Sequence, residues 1–216
     1  EGLRTGERHL FIRFQDCPMQ CSYCDEIDKK GIEMSLAQLL QEVERVDRDE
    51  GPHAFVSLTG GEPLFYRPFL KALCHELKVR NRKILLETNG VLWETLSEIV
   101  GYCDLIAMDL KLPSVGHTQD LLREHRKFLK VARDKETFIK IVVSKEIDLK
   151  EYEEHLRMVS EIAPLTPIFL QPVSLAVESP EDPELILLLE ELQRIGKRWV
   201  PDIRIGLRLH KMLKIR

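Results

Sequence analysis

The strongest constraint on this chain is a rhythm. Seven short runs rich in apolar residues, at 10–14, 54–58, 84–87, 105–109, 138–143, 168–171 and 203–207, recur with helical patterns between them. Over residues 35–46 the apolar positions Leu36, Leu39, Leu40, Val43 and Val46 fall on one face of a helix. Ser35 with Gln38 three residues later is a capping-box start. Phe69, Leu70, Leu73, Cys74 and Leu77 make the same stripe over 68–79, and Leu185, Leu188, Leu189, Leu192 and Ile195 over 183–195. Regular strand-then-helix order implies parallel strands joined by crossover helices. Nearly continuous apolar strands are expected when both sheet faces are covered. A full eightfold barrel takes about 250 residues, and this chain has 216. The expected fold is therefore α/β, an incomplete (βα)6-type partial TIM barrel of six or seven parallel strands, as a single domain over residues 1–216. Loops are expected at 47–53, 112–118 and 177–183.

Chemistry in such folds gathers at the C-terminal ends of the strands. The first run leads into Cys17, Cys21 and Cys24, and the second into Thr59-Gly60-Gly61-Glu62-Pro63. The third ends in Glu87-Thr88-Asn89-Gly90, the fourth in Asp109-Leu110-Lys111, the fifth in Ser144 and the sixth in Gln171-Pro172. Polar and glycine residues thus concentrate at one rim, which packing alone would not produce.

The cysteine spacing is C-x3-C-x2-C. Three soft thiols on so short a loop can converge on one soft metal centre. A zinc-binding module would want a fourth ligand. A [4Fe-4S] cluster held by three cysteines leaves one iron open to a substrate or cofactor. A redox thiol pair needs only two cysteines. Cys74, inside an apolar stripe, and Cys103, at the head of an apolar run, read as core. Five cysteines, three of them clustered, do not form a secreted disulfide framework. The net charge of -4 argues against a general nucleic-acid binder. No run of about 18 apolar residues suggests a membrane span, and the polar start shows no signal peptide. The expectation is a cytoplasmic protein without nucleic-acid or membrane partners.

C-x3-C-x2-C after the first strand and Gly60-Gly61-Glu62-Pro63 after the second resemble the two motifs of radical S-adenosylmethionine enzymes. The resemblance implies that the open iron is chelated by S-adenosylmethionine, whose reductive cleavage gives a 5'-deoxyadenosyl radical. Glycines allow close backbone approach, so Gly60 and Gly61, with the Glu62 carboxylate, would receive the cofactor's ammonium group.

Further motifs narrow the resemblance to the 7-carboxy-7-deazaguanine synthase family of the queuosine pathway. Glu1-Gly2 is similar to the end of its QGEG segment, most of which would lie upstream of this non-Met start. Phe11-Ile12-Arg13-Phe14 matches its pre-cluster strand, and Cys24-Asp25 the start of its CDT. Leu86 to Gly90 matches LETNG, and the ending from His210 to Arg216 its HKxLGI-type tail. The family reading implies a ring-contracting lyase. It would convert 6-carboxy-5,6,7,8-tetrahydropterin to 7-carboxy-7-deazaguanine with loss of ammonia, S-adenosylmethionine being regenerated and Mg2+ assisting.

The resemblance places Tyr23, Cys24, Asp25, Gly90, Asp109, Lys111, Ser144 and Gln171 on S-adenosylmethionine. It places Glu1, Arg13, Thr88, His210 and the terminal carboxylate of Arg216 on the substrate. It further implies an electron donor such as flavodoxin or ferredoxin, and a homodimer. Two positions depart from the family pattern. Glu26 stands where CDT has its Mg2+-binding Thr, and Asp109-Leu110-Lys111 replaces SPK, keeping the lysine. A carboxylate is a good ligand for a hard cation. Met108 to Lys111 also resembles a glycyl-radical-enzyme activase motif, which makes an activase the alternative enzyme.

Overall fold

A computed structural model describes residues 2–24, 26, 30–173, 182–206 and 208. The seven runs become the strands β1 (His9–Phe14), β2 (Phe55–Gly60), β3 (Ile84–Thr88), β4 (Leu105–Asp109), β5 (Thr137–Val143), β6 (Ile168–Pro172) and β7 (Ile203–Ile205). They form one sheet in the order of the chain, and every adjacent pair is parallel. Among the described residues seven α-helices accompany them: α1 (Leu36–Glu50), α2 (Arg67–Val79), α3 (Trp93–Ile99), α4 (Pro113–Gly116), α5 (Leu122–Ala132), α6 (Leu149–Ile162) and α7 (Pro183–Gly196). Six strand–helix crossovers plus a seventh strand make the expected partial barrel.

Local chemistry sets the boundaries. Ser35 caps α1 through a complete capping box with Gln38. Asp148 caps α6 and Asp182 caps α7, each accepting two backbone N–H bonds. Two expected loops are partly helical. α1 continues through Glu50 because nothing breaks it before Gly51 and Pro52, and Asp47 accepts from the backbone and ring of His53. α4 forms within 112–118, starting on Pro113 and ending on a left-handed His117. The 177–183 loop lies mainly outside the described residues, as does Leu207 beyond β7.

The sheet has two unlike faces. Leu10, Ile12, Val56, Leu58, Ile84, Leu86, Ile106, Met108, Ile139 and Ile141 pack under the helices in the main core. Burying each such side chain contributes about 1.5–3 kcal/mol. The alternate residues line the inner face. Phe55, Leu85, Leu105, Ala107, Phe138 and Phe169 form an apolar floor there, with Leu3 packed against it. Leu3 belongs to the turn Gly2–Arg4, whose Arg4 guanidinium lies 5.4 Å over the Phe55 ring. That turn closes the inner face beside the N-terminal ends of the strands. Above the floor the inner face becomes polar, towards the ends that carry the cysteine loop. Among the described residues no helix is long and apolar enough to cross a membrane.

Candidate functional site

The cysteine loop leaves β1 and is tied down at both ends. The Gly61 N–H donates to the Phe14 carbonyl at 2.6 Å, and the Glu62 N–H to the Asp16 carbonyl at 2.8 Å. On the far side Ser22 donates from its N–H to the Gly116 carbonyl at 3.1 Å and from its hydroxyl to Val115 at 3.2 Å. Gln15 accepts from the Gly31 N–H at 2.8 Å. The close approach expected of Gly60 and Gly61 is made by the chain itself. Gly60 has φ +107, and a Cβ on it would strike the Phe14 backbone; one on Gly61 would strike the Asp16 carbonyl. Only glycine lets the loop cross there.

Burial raises the Cys21 thiol above its ordinary pKa; Lys111 opposes this, and Cys17 and Cys24 reinforce it. Cys21 therefore lies within electrostatic reach of the other two thiols. Burial also raises the Cys17 thiol. Its sulfur accepts from the Met19 N–H at 3.5 Å and from Asn89 Nδ2 at 3.8 Å. Among the described residues no three His, Cys, Asp or Glu side chains are drawn to the spacing of a single-ion site. Three soft sulfurs, one of them hydrogen-bonded, nevertheless have the donor chemistry of iron–sulfur ligation. Cys74 and Cys103 are buried in the core, as expected. Cys103 precedes β4 rather than starting it and donates to Ile99 at 3.7 Å.

Glu62 is the buried keystone of the rim. Its Oε1 accepts from the Leu64 N–H at 3.0 Å and the Thr88 hydroxyl at 2.8 Å, and its Oε2 from the Asn89 N–H at 2.8 Å. Burial outweighs these bonds and pushes its carboxyl up to about 7. Glu62 has no exposed surface, and its side chain ties the end of β2 to that of β3. Thr88 is tied into the same network. Strand alternation turns it to the helix side with Leu86, where its hydroxyl is spent on Glu62. Gly90 is buried with φ +72, and a Cβ there would press on Met108.

The inner face carries a ladder of charge that crosses four strands. The Thr59 hydroxyl lies 3.5 Å from Glu87 Oε2. Lys140 Nζ sits 3.2 Å from Glu87 and 3.2 Å from Asp109, and Lys111 Nζ 3.0 Å from Asp109. Burial alone would raise the Asp109 carboxyl, but Lys111 and then Lys140 hold it at about 2. Burial would lower the Lys111 ammonium; Asp109 overrides this and raises it. Lys111 also stands 5.3 Å over the Tyr23 ring, whose hydroxyl burial pushes up to about 12. Tyr23, Cys21, Asp109 and Lys111 are thus one assembly beside the cysteine loop.

Arg13 shares the inner face with Phe11, over whose ring it lies at 5.0 Å, and is paired in register with Thr59. Its guanidinium is 3.8 Å from Glu26. Gln171 is half-buried on the same face, two residues beyond Phe169. Ser144 is buried and its hydroxyl accepts from the Glu146 N–H at 3.3 Å, which makes it a turn residue. Glu1, Asp25, His210 and Arg216 lie outside the described residues. Sequence reasoning placed Thr59, Glu87 and Asn89 at the rim without giving them a role, and missed Lys140. A signal existed for Lys140: a lone charge inside the apolar run Phe138-Ile139-Lys140-Ile141.

A family profile described as the radical SAM superfamily matches residues 11–159. The 7-carboxy-7-deazaguanine synthase of Geobacter sulfurreducens is 31% identical over 99% of this chain and 92% of its own length. That of Methanocaldococcus jannaschii is 27% identical over 99% and 94%. Among solved structures, Streptococcus suis SuiB bound to S-adenosylmethionine superposes with a TM-score of 0.68 at 17% identity. It is covered over 94% of this chain and 50% of SuiB, a likeness of fold alone. The motifs, the barrel and the end-to-end match agree: the chain belongs to the radical S-adenosylmethionine superfamily, whose members use a [4Fe-4S] cluster and S-adenosylmethionine, and within it to the 7-carboxy-7-deazaguanine synthase family.

Proposed function

We propose that this chain contracts the ring of 6-carboxy-5,6,7,8-tetrahydropterin to give 7-carboxy-7-deazaguanine and ammonia. The observation that carries the reading is the match over 99% of the chain to a synthase of that name. A match confined to the cysteine and Gly-Gly-Glu-Pro motifs would support radical chemistry without naming a substrate. When bound, the cluster and S-adenosylmethionine supply hydrogen-atom abstraction.

The chain's own residues bind and orient. Cys17, Cys21 and Cys24 hold the cluster. Tyr23, Asp109 and Lys111 face S-adenosylmethionine, together with the backbone of Gly60 and Gly61 and with Cys24, Asp25, Gly90, Ser144 and Gln171. Glu62 supports them from beneath. Arg13, at the polar end of the inner face, pairs with the substrate carboxylate, for which a planar guanidinium is suited. Glu87 and Thr59 face the same space, and a carboxylate there accepts the N–H groups of an aminopyrimidinone ring. The aromatic floor keeps water from below. The tail residues His210 and Arg216, and Glu1, complete the substrate side, while Thr88 acts only through Glu62.

Glu26 is a candidate Mg2+ ligand, but it faces Arg13. A cation there must share that carboxylate with the guanidinium, and no step is assigned to it. A small flavodoxin or ferredoxin as electron donor, a homodimer and a cytoplasmic location follow the family. The test is turnover of the reconstituted protein with S-adenosylmethionine, Mg2+, reductant and the carboxypterin, read by mass spectrometry. The deazaguanine product is expected. Formation of 5'-deoxyadenosine without it overturns the substrate and keeps the radical chemistry.

A further inference from the structure

We propose that Asn89 is a positioning residue for the iron–sulfur cluster: its side-chain amide donates a hydrogen bond to the Cys17 sulfur and so raises the reduction potential of the centre. The proposal rests on the reading that Cys17 binds a cluster iron.

Asn89 is 6% exposed, and each of its polar groups has a partner. Its N–H donates to Glu62 Oε2 at 2.8 Å, and its carbonyl accepts from His125 Nε2 at 3.2 Å. Its Oδ1 accepts from the Val91 N–H at 3.1 Å, and its Nδ2 points at Cys17 Sγ at 3.8 Å. The orientation of an amide is assigned from such a network, and here only one assignment works. Flipping it would set an NH2 against the Val91 N–H and an oxygen against a sulfur.

The bond from Val91 is an ordinary Asx turn, which Asp or Ser can also make. That turn explains Oδ1 and leaves the donor unexplained; only Asn supplies both. The anchors are rigid. His125 is fully buried, and its Nε2 must carry the proton because its partner is a carbonyl. Burial first, and then His155, lower its pKa to about 3, so the ring stays neutral. Asn89 is therefore held from the turn after β2 by Glu62 and from α5 by His125, with its amide directed at the cysteine loop.

A donor to a ligand sulfur stabilises the more negative, reduced cluster. Removing it should lower the reduction equilibrium constant about tenfold, ~59 mV for a one-electron couple.

The chain contains two asparagines, Asn81 and Asn89, and Asn81 lies in the turn between α2 and β3 at the opposite ends of the strands. Protein carrying 15N only in the asparagine side-chain amide is reconstituted, reduced and examined by pulsed EPR. The cluster signal should show a 15N coupling that persists in Asn81→Gly and vanishes in Asn89→Ser. Redox titration of Asn89→Ser should show the tenfold shift. A loaded, labelled wild-type protein without 15N coupling overturns the proposal. So does an Asn89→Ser protein with full iron content and an unchanged potential. If Asn89→Ser fails to load, the labelled wild type decides alone. A wild-type protein that binds no iron overturns both this proposal and the cluster reading beneath it.

Discussion

Replacing Glu62 by Gln should remove a pH dependence from the stability of the fold. Glu62 is fully buried and accepts three hydrogen bonds, yet burial moves its carboxyl from 4.5 to about 7. In the unfolded chain it ionises near 4.5, so between pH 4.5 and 7 the folded chain keeps a proton that the unfolded chain has lost. The stability from this group is full below about pH 4.5 and is lost as pH rises through about 7. A span of about 2.5 pH units at 1.36 kcal/mol each is about 3 kcal/mol.

His125 acts in the opposite sense. Burial draws its imidazole from 6.5 to about 3, so its contribution grows as pH rises across that interval. The wild-type slope is therefore composite, and the difference from Glu62→Gln isolates Glu62. The assay is anaerobic urea unfolding of the reduced, cluster-free chain from pH 4.5 to 8. Gln sets an NH2 among N–H donors, so the variant should be about 1–3 kcal/mol less stable at pH 4.5. The gap should then close by about 3 kcal/mol as pH rises to 8. A gap that stays constant, or widens with pH, refutes the reasoning, because Glu62 would then be ionised throughout.

Other outcomes follow from the same geometry. Gly61→Ala should cost about 1–3 kcal/mol and unseat the cysteine loop, seen as iron lost per chain. Gly101→Ala, where a Cβ meets nothing within 4 Å, should leave iron content unchanged. Lys140→Met leaves Glu87 and Asp109 facing each other without their shared cation and should destabilise the chain by about 3 kcal/mol in denaturant titration. Cys21→Ala should yield protein without the cluster's visible absorption, whereas Cys74→Ala should retain it and lose only about 1–2 kcal/mol of stability. Arg13→Lys should raise KM for the carboxypterin at least tenfold with kcat retained, since an ammonium cannot pair in bidentate fashion. Equal loss in kcat and kcat/KM would place Arg13 elsewhere in the reaction.

What the sequence left open shares a cause. Thr88 and Glu62 each look like ligand-facing polar groups at strand ends, but they are spent on each other across 26 residues of chain. The parity of β3 could have shown this for Thr88, which alternates in phase with Ile84 and Leu86 on the helix side. Gly60 and Gly61 were legible as a place of close approach, though not as one where the approaching backbone is residues 14–16. The 47–50 segment looks like a loop by composition, yet helix propagation continues until Gly51 and Pro52 stop it.

By itself the sequence determined the strand-then-helix alternation, the parallel pairing it implies and the grouping of Cys17, Cys21 and Cys24. Period, capping and short spacing act between near neighbours, so they can be read from the chain directly. Only the tertiary structure decided what the barrel encloses. Glu87, Asp109 and Lys140 come from three strands and form one ladder because parallel register sets Asp109 opposite Lys140. Asn89 meets Cys17 across 72 residues because one buried carboxylate and one buried imidazole hold it there. Side chains so far apart in sequence acquire their partners from packing, and the partner decides the chemistry.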